Sequence, residues 1–248
     1  MSLSDEYRRQ LAWRDWATAL DALPSLEGRT VLDLGCAVGD MAALLVARGA
    51  RVVGVDGNEE LLTAARSKEL PNAELLQADL RALPDLGVKA DGLWCSFAAA
   101  YFPELSTQLG AWMRHVRPGG WVALTEIDDF FGHEPLGERT RELLAAYAED
   151  ALAAGRYDFH MGRKLPEHAE RAGLTVSKEL TLEDREFSFT GPARPEVLDA
   201  WRVRFERMTL LRAFCGPEYD RVRDDFLACL ARPDHRSAAR VCCCIAIR

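Results

Sequence analysis

Residues 31–40, VLDLGCAVGD, pass from an apolar strand through a glycine-bearing turn into a helix. Such a turn brings backbone N–H groups to the start of a helix, where a ligand can lie close against the chain. Gly35 and Gly39 flank Ala37, so the pattern is G-x-A-x-G and misses the G-x-G-x-x-G spacing of a dinucleotide fingerprint. No Gly-Lys-Ser/Thr follows, which excludes a P-loop. Asp40 falls in the first helical turn, and a carboxylate there repels pyrophosphate from the positive end of the helix dipole. The turn therefore suits a ligand whose nearest portion is not strongly anionic.

Outward from this turn, strand and helix signals alternate over residues 30–126. DMAALLVARG predicts a helix ended by Gly49, and ARVVGVD the next strand. Asn58 is placed to cap EELLTAARSKEL, AELLQAD and ADGLWCS read as the third and fourth strands, and ELSTQLGAWMRHV reads as a helix. RPGG then makes a turn into the fifth strand, WVALTEI. This alternation predicts an α/β fold with a doubly wound parallel sheet and helices on both faces.

After residue 126 the pattern changes. A helix in GERTRELLAAYAEDALAAG precedes the helix PEHAERAG and the strand LTVSKEL, and a mostly helical stretch precedes a final strand over 239–247. Structureless loops of such length are uncommon, so both insertions are expected to be folded pieces forming a cap. Trp13, Trp16, Leu20 and Leu23 recur at helical spacing and predict an amphipathic N-terminal helix packed on the domain.

At 248 residues the chain fits one large α/β domain, and 48% hydrophobic with 28% charged residues is ordinary for a globular protein. No apolar run approaches the roughly 20 residues of a membrane span. Charges recur through MSLSDEYRRQLAWRDW, where a secretory signal needs an apolar segment. A cytoplasmic protein with no membrane partner is the expectation. The net charge of −8 argues against a nucleic-acid partner. The seven cysteines form no CxxC pair, and Cys242, Cys243 and Cys244 lie in a predicted strand whose alternating faces cannot converge three thiols on one metal. No metal site is expected.

In open α/β sheets the ligand sits beyond the carboxyl ends of the strands, at the topological switch point. Asp56 ends the second strand, where a carboxylate accepts from ribose hydroxyls. Asp79 ends the third, in LLQADLRALP, placed to accept from an exocyclic amine such as that of adenine, although aspartate is also common there as a turn former. Adenosine with a non-phosphate tail fits Asp40, Asp56 and Asp79 together.

Four stretches, VLDLGCAVGD, VVGVDGNEELL, LLQADLRALP and VRPGGWVALTEI, resemble in order the successive motifs of class I S-adenosylmethionine-dependent methyltransferases. The rest of the chain is more loosely similar to small-molecule members of the quinone-biosynthesis and secondary-metabolism type. The resemblance implies a Rossmann-like, mostly parallel seven-stranded sheet with the last strand antiparallel, and S-adenosylmethionine as cofactor. It implies a single domain over 1–248, with an N-terminal helix or lid at 1–24, a cofactor-binding core at 30–126 and helical cap insertions at 127–165 and 188–237. Residue by residue, it implies that Gly35, Cys36 and Gly39 let the backbone approach the methionine part, while Asp33 reaches its amino group directly or through water. Asp56, with Gly57 beside it, would hold the ribose; Asp79 would bind the adenine amine with the Leu80 backbone alongside; Ser96 would lie near the methionine end. Ala37 departs from the family's usual glycine, and the modest bulk of its methyl is expected to be tolerated.

The N-terminal helix is expected to close over the cofactor, with Tyr7 near the sulfonium or the substrate and Arg14 either on the methionine carboxylate or solvated at the surface. Methyl transfer asks chiefly for proximity and alignment, with a base only for a nucleophile that arrives protonated. Tyr101 and Phe131, among the aromatics after the fourth and fifth strands, suggest a small, ring-containing acceptor unless they are core. His133 is the first candidate base and His160 the second, with Arg163 as an anchor for an acidic substrate group; an ordinary surface or capping role stays open for both histidines. CSFAAAYF lacks the Asn/Asp-Pro-Pro-Tyr/Phe signature of adenine and glutamine N-methyltransferases, and the aspartate that binds magnesium in catechol-type enzymes. An NAD(P)-dependent oxidoreductase and a non-catalytic S-adenosylmethionine-binding protein stand as alternatives. The acceptor, the atom methylated and the oligomeric state are not legible.

Overall fold

The computed structural model describes residues 3–248, with side chains from Arg8 onward. In chain order the strands are β1 (Thr30–Leu34), β2 (Arg51–Asp56), β3 (Ala73–Gln77), β4 (Ala90–Ser96), β5 (Val116–Asp128), β6 (His133–Glu134), β7 (Thr175–Leu182), β8 (Arg236–Ser237) and β9 (Arg240–Ile247). Seven of them form one sheet in the order β3-β2-β1-β4-β5-β9-β7. Strands β1 to β5 pair in parallel, and β9 runs antiparallel to both its neighbours. The expected doubly wound sheet with an antiparallel last strand is the observed one.

The helices are α1 (Leu3–Trp13), α2 (Trp16–Asp21), α3 (Asp40–Ala47), α4 (Glu59–Arg66), α5 (Leu105–Trp112), α6 (Glu138–Ala153), α7 (Met161–Arg171), α8 (Pro195–Arg207), α9 (Thr209–Cys215) and α10 (Tyr219–Leu230). Because successive strand residues point to opposite faces, the apolar runs feed two cores at once. Val31, Val52, Trp94, Trp121 and Ile245 enter one, beneath α2 and α3; Leu32, Val53, Leu93, Val122 and Cys244 enter the other, beneath α5 and α7. The same alternation sends Cys243 and Cys244 to opposite cores. Gly92 is the one strand position that has to lack a side chain for Trp121 to cross it, since a Cβ there would stand 2.0 Å from the indole.

Three local expectations change on folding. The RPGG turn expected ahead of the fifth strand lies inside β5, as an irregularity between the pairs Ala90–Val116 and Gly92–Trp121, with Gly119 at φ +74°. The single N-terminal helix is divided into α1 and α2. Asp15 caps α2 through the Thr18 amide, 3.2 Å away, while Asp15 N donates to Glu183 O at 3.0 Å and Arg185 N to Trp13 O at 3.1 Å. Backbone pairing with a distant segment thus overrides the local helical period. Finally, α7 starts within the range 127–165 assigned to the first insertion and packs on the sheet: a Cβ on Gly162 would lie 2.6 Å from Asp128 N.

The remaining insertion residues form α6 and the trio α8, α9 and α10. Strands β6 and β8 pair as His133–Ser237 and Glu134–Arg236, clipping the beginning of one insertion to the end of the other. No described helix is long and apolar enough to cross a membrane.

Candidate active site

Backbone bonds hold the turn after β1. Gly35 N and Cys36 N both donate to Val55 O, at 2.8 and 3.1 Å, and Gly39 N donates to Cys36 O at 2.8 Å. Gly35 adopts φ +77°, a conformation glycine takes freely, and a Cβ on it would stand 2.9 Å from Ala98 Cβ. Only a bare backbone fits between β1 and the loop after β4. Ala37 also has a positive φ, +46°, so its departure from glycine is felt as backbone strain more than as bulk. Left-handed alanine costs roughly 1–2 kcal/mol, and the more flexible unfolded chain of a glycine variant offsets about half of that. Ala37→Gly is therefore expected to raise stability in urea unfolding by up to about 1 kcal/mol.

A cleft of about 450 Å³ opens against this turn. Gly35, Cys36, Ala37 and Val38 line it together with Asp56 from β2 and Ser96 at the end of β4; Arg14 comes from the N-terminal segment, Glu186 from the loop after β7 and Arg204 from α8. The Asp56 carboxylate accepts from Ala37 N at 2.9 Å through Oδ2 and from Asn58 N at 2.8 Å through Oδ1. It joins two strand-to-helix turns and, with about four acceptor positions on a carboxylate, still has lone pairs to offer a diol.

Asp33 sits behind the turn, 1% exposed, and its Oδ2 has no hydrogen-bond partner. Burial pushes its carboxyl up to about 7; nearby Asp56 adds to the rise, and the Ala42 N–H opposes it. An orphaned buried carboxylate next to a bare glycine turn fits a ligand that brings a cation there. The Cys36 thiol, raised first by burial and then by Asp33 and Asp56, stays protonated. The charge argument from Asp40 is weaker than its position in the helix implies, because Lys68 Nζ pairs with its Oδ1. Glycine spacing and Asp33, more than Asp40, disfavour a diphosphate.

Arg14 faces the cleft from the break between α1 and α2. Its guanidinium lies 4.1 Å from the Phe97 ring centroid, with Nε 2.5 Å from Asp184 Oδ2 and Nη2 3.7 Å from Glu186 Oε2. Its side chain is 4% exposed, so it is not solvated at the surface. Arg204 of α8 pairs with the other oxygen of Glu186.

Of the residues singled out from sequence, Arg14, Gly35, Cys36, Asp56, Ser96 and Tyr101 line the cleft. Asp33 and Gly39 support it from behind. Gly57 and Asp79 are exposed, and Asp79 caps the short turn Leu80–Ala82 by accepting from Arg81 N at 2.9 Å, the turn-forming alternative. Leu80 O accepts from Gln108 Nε2 at 2.7 Å and Trp112 Nε1 at 2.8 Å. The Tyr7 side chain lies outside the described residues.

The structure does not bring the candidate bases to the cleft. His133, with Phe131 and His160, lines a separate cavity of about 200 Å³; it is 1% exposed, and burial with His235 beside it pushes its imidazole down to about 3. Arg163 instead pairs, together with Arg240, with buried Asp128. Among the described residues no histidine lines the cleft. Sequence reading missed Glu186, Arg204 and Tyr157, which do. It also missed Glu126, a fully buried acid accepting from Ala100 N at 2.9 Å and pushed up to about 7 by burial; an acid inside the apolar run WVALTEI was its available signal.

A methyltransferase domain family model matches residues 31–120. Over 107 residues the chain is 42% identical to the trans-aconitate 2-methyltransferase of Azoarcus sp. (strain BH72), a match covering 42% of each protein, so it spans less than half of that relative. It is 30% identical over 170 residues to the ubiquinone biosynthesis O-methyltransferase of Pseudomonas fluorescens (strain Pf0-1), covering 66% of this chain and 72% of the relative. The structure is similar to that of an S-adenosylmethionine dependent methyltransferase from Mesorhizobium loti, with TM-score 0.56 and 19% identity over 94% of this chain and 97% of the other, a likeness of fold. This kinship removes the oxidoreductase alternative, and the orphaned Asp33 and bare Gly35 turn fit the family's methyl donor. The chain belongs to the class I S-adenosylmethionine-dependent methyltransferases.

Proposed function

We propose that the chain methylates a small, ring-containing acceptor that carries an acidic group. The observation that carries the cofactor end is Asp33, a buried carboxylate with an unpartnered oxygen behind the Gly35 turn. In this reading Asp33 meets the amino group of the methionine part, Asp56 accepts from the ribose hydroxyls, and Gly35 and Cys36 let the backbone lie along the chain joining them. Ser96 lies at the methionine end, with Leu80 beside the turn. Asp79 and Gly57 are better explained as turn residues.

S-adenosylmethionine supplies an electrophilic methyl group on a positively charged sulfur. The protein's contribution is alignment and exclusion of water. Trp16, Phe97 and Phe130 provide apolar walls, and Tyr157, whose hydroxyl burial holds protonated, also lines the cleft. Arg9, Arg14, Arg204 and Arg207 line the cleft against Asp40, Asp56 and Glu186. Arg204 pairs with Glu186, Arg14 with Asp184 and Lys68 with Asp40, and with Asp56 counted as well the cluster keeps a positive excess, which favours an anionic acceptor. The buried His133 and the distant His160 leave no support for a histidine base.

Methyl transfer from labelled cofactor across pairs of aromatic carboxylic acids and their amides tests the acceptor. Preference for the acids is the expected result. Equal transfer to both removes the charge argument, and cofactor binding with no transfer at all favours the non-catalytic alternative.

The cofactor end has its own signature in pH. With its folded pKa raised to about 7, Asp33 is protonated below that pH and must ionise to meet an ammonium. Binding of S-adenosylhomocysteine is expected to strengthen about 10-fold per pH unit from roughly pH 5 to 7 and then level off. Asp33→Asn should abolish that slope in calorimetry. The stability sign is opposite: between about pH 4 and 7 the folded chain holds a proton that the unfolded chain has released, so this group's contribution falls as pH rises.

A further inference from the structure

Glu126 has no part in the binding and transfer described above, yet burying a carboxyl costs free energy unless hydrogen bonds offset it. Its two oxygens meet two amides: Oε1 accepts from Ala100 N at 2.9 Å and Oε2 from Ile127 N at 3.3 Å. A side chain of β5 thereby fastens the short turn Ala99–Tyr101, which follows β4. The same residue is held from its other end, since Ala100 O accepts from Asp158 N at 2.9 Å. Ala100 is itself fully buried, gripped between the sheet and the loop that leads into α7.

The residues on either side of this grip face the two halves of the reaction. Ala98 occupies the space that a side chain on Gly35 would need, and so abuts the turn assigned to the cofactor. On the other side stands Tyr101. Four large apolar side chains are exposed among the described residues, and Tyr101, at 51%, is the one of them that lines the cleft. Its ring meets that of Tyr157 edge to face, with centroids 4.9 Å apart, and Tyr157 directly precedes Asp158. Exposed apolar surface in a cleft marks a face for a ligand. We infer that Tyr101 is the face on which the acceptor's ring packs, and that Glu126 is a positioning residue that holds this face in place relative to the methyl donor through the Ala100 peptide. The inference rests on the ring-containing, acidic acceptor proposed above. Displacement at sulfur requires close alignment of donor and acceptor, and the stretch from Ala98 to Tyr101 links the donor's turn to the acceptor's wall.

The test measures binding of benzoate and cyclohexanecarboxylate, by ligand-observed NMR, to the full chain saturated with S-adenosylhomocysteine. The two anions differ in having a flat or a puckered ring, so the ratio of their affinities reads the stacking face and cancels the charge. Wild type is expected to prefer benzoate by about 3- to 10-fold, the worth of one aromatic contact. Tyr101→Ala, at an exposed position, should erase the preference. Glu126→Met, which keeps the side chain's length but leaves the Ala100 amide without its acceptor, should erase it too, whereas Glu126→Gln retains an oxygen for that amide and should preserve it. If Glu126→Met does not fold, Glu126→Asp, one methylene shorter, is expected to lower the ratio instead. A preference unchanged in Tyr101→Ala overturns the stacking face. A preference unchanged in the Glu126→Met or Glu126→Asp chain, or both anions weakened equally there as a merely structural role would give, overturns the positioning role. Equal affinity for the two anions in wild type overturns the inference and leaves the acidic acceptor standing; binding of neither overturns the acceptor reading and this inference with it.

Discussion

Replacing Asp56 with alanine is expected to weaken S-adenosylhomocysteine binding by about 10²- to 10³-fold in calorimetry, corresponding to roughly 3–4 kcal/mol. Two losses add up. The carboxylate accepts from Ala37 N and Asn58 N and so holds the turn after β1 against the start of α4. It also lines the cleft, where it is placed to accept from the ribose diol. Hydrogen bonds to a charged group contribute roughly 1.5–3 kcal/mol each, so either role alone gives a substantial effect. A cycle with a 2′,3′-dideoxy analogue separates them. If the diol contact is real, wild type discriminates against the analogue and Asp56→Ala does not; if Asp56 only braces the turn, both proteins discriminate equally. Asp56→Asn keeps one acceptor oxygen and should fall between, about 10-fold weaker than wild type.

Such an argument could be started from sequence because the first half of the sheet is written locally. Apolar runs of the right length, a glycine after α3 and an asparagine before α4 place β1 to β4 with little help from the rest of the chain, and Asp56 follows as the last residue of β2. What escaped were partnerships between segments far apart. His133 stands directly after the fifth strand, as a base should, but folding puts His235 beside it and closes both away from the cleft. Arg163 is taken up by Asp128, and the break at Arg14 exists only because residues 183–185 supply a backbone to pair with. Arg204 and Glu186 lie in no motif; α8 and the loop after β7 deliver them. Periodicity predicts which face a residue takes, and carries no information on which distant charge will be waiting there.

Arg14 shows how far this alters an expectation. From sequence, Arg14 lies either on the methionine carboxylate, where Arg14→Ala should weaken cofactor binding, or solvated at the surface. In the structure the guanidinium is buried against Asp184, whose side chain is 0% exposed, and reaches towards Glu186. Asp184 Oδ1 accepts from the amides of Glu186 and Phe187 at 2.7 and 2.8 Å, so it shapes the loop that carries Glu186 into the cleft. Removing one partner of a buried pair leaves the other charge uncompensated, and Arg14→Ala is expected to lose about 3–5 kcal/mol in urea unfolding without ligand. The pH dependence gives the sign. Burial already raises the Asp184 carboxyl against the opposing pull of Arg14, and without the arginine it rises further. The deficit is then largest at pH 7 to 8 and shrinks towards pH 4, where Asp184 can take up a proton instead of remaining charged. Asp184→Asn in the same chain should recover part of the loss, because the uncompensated charge is gone while the amide can still accept from the loop. Unchanged stability together with weakened S-adenosylhomocysteine binding would return Arg14 to the role first expected of it, a direct contact to the methionine carboxylate, and would mean that the ion pair with Asp184 contributes nothing to holding the N-terminal segment in place.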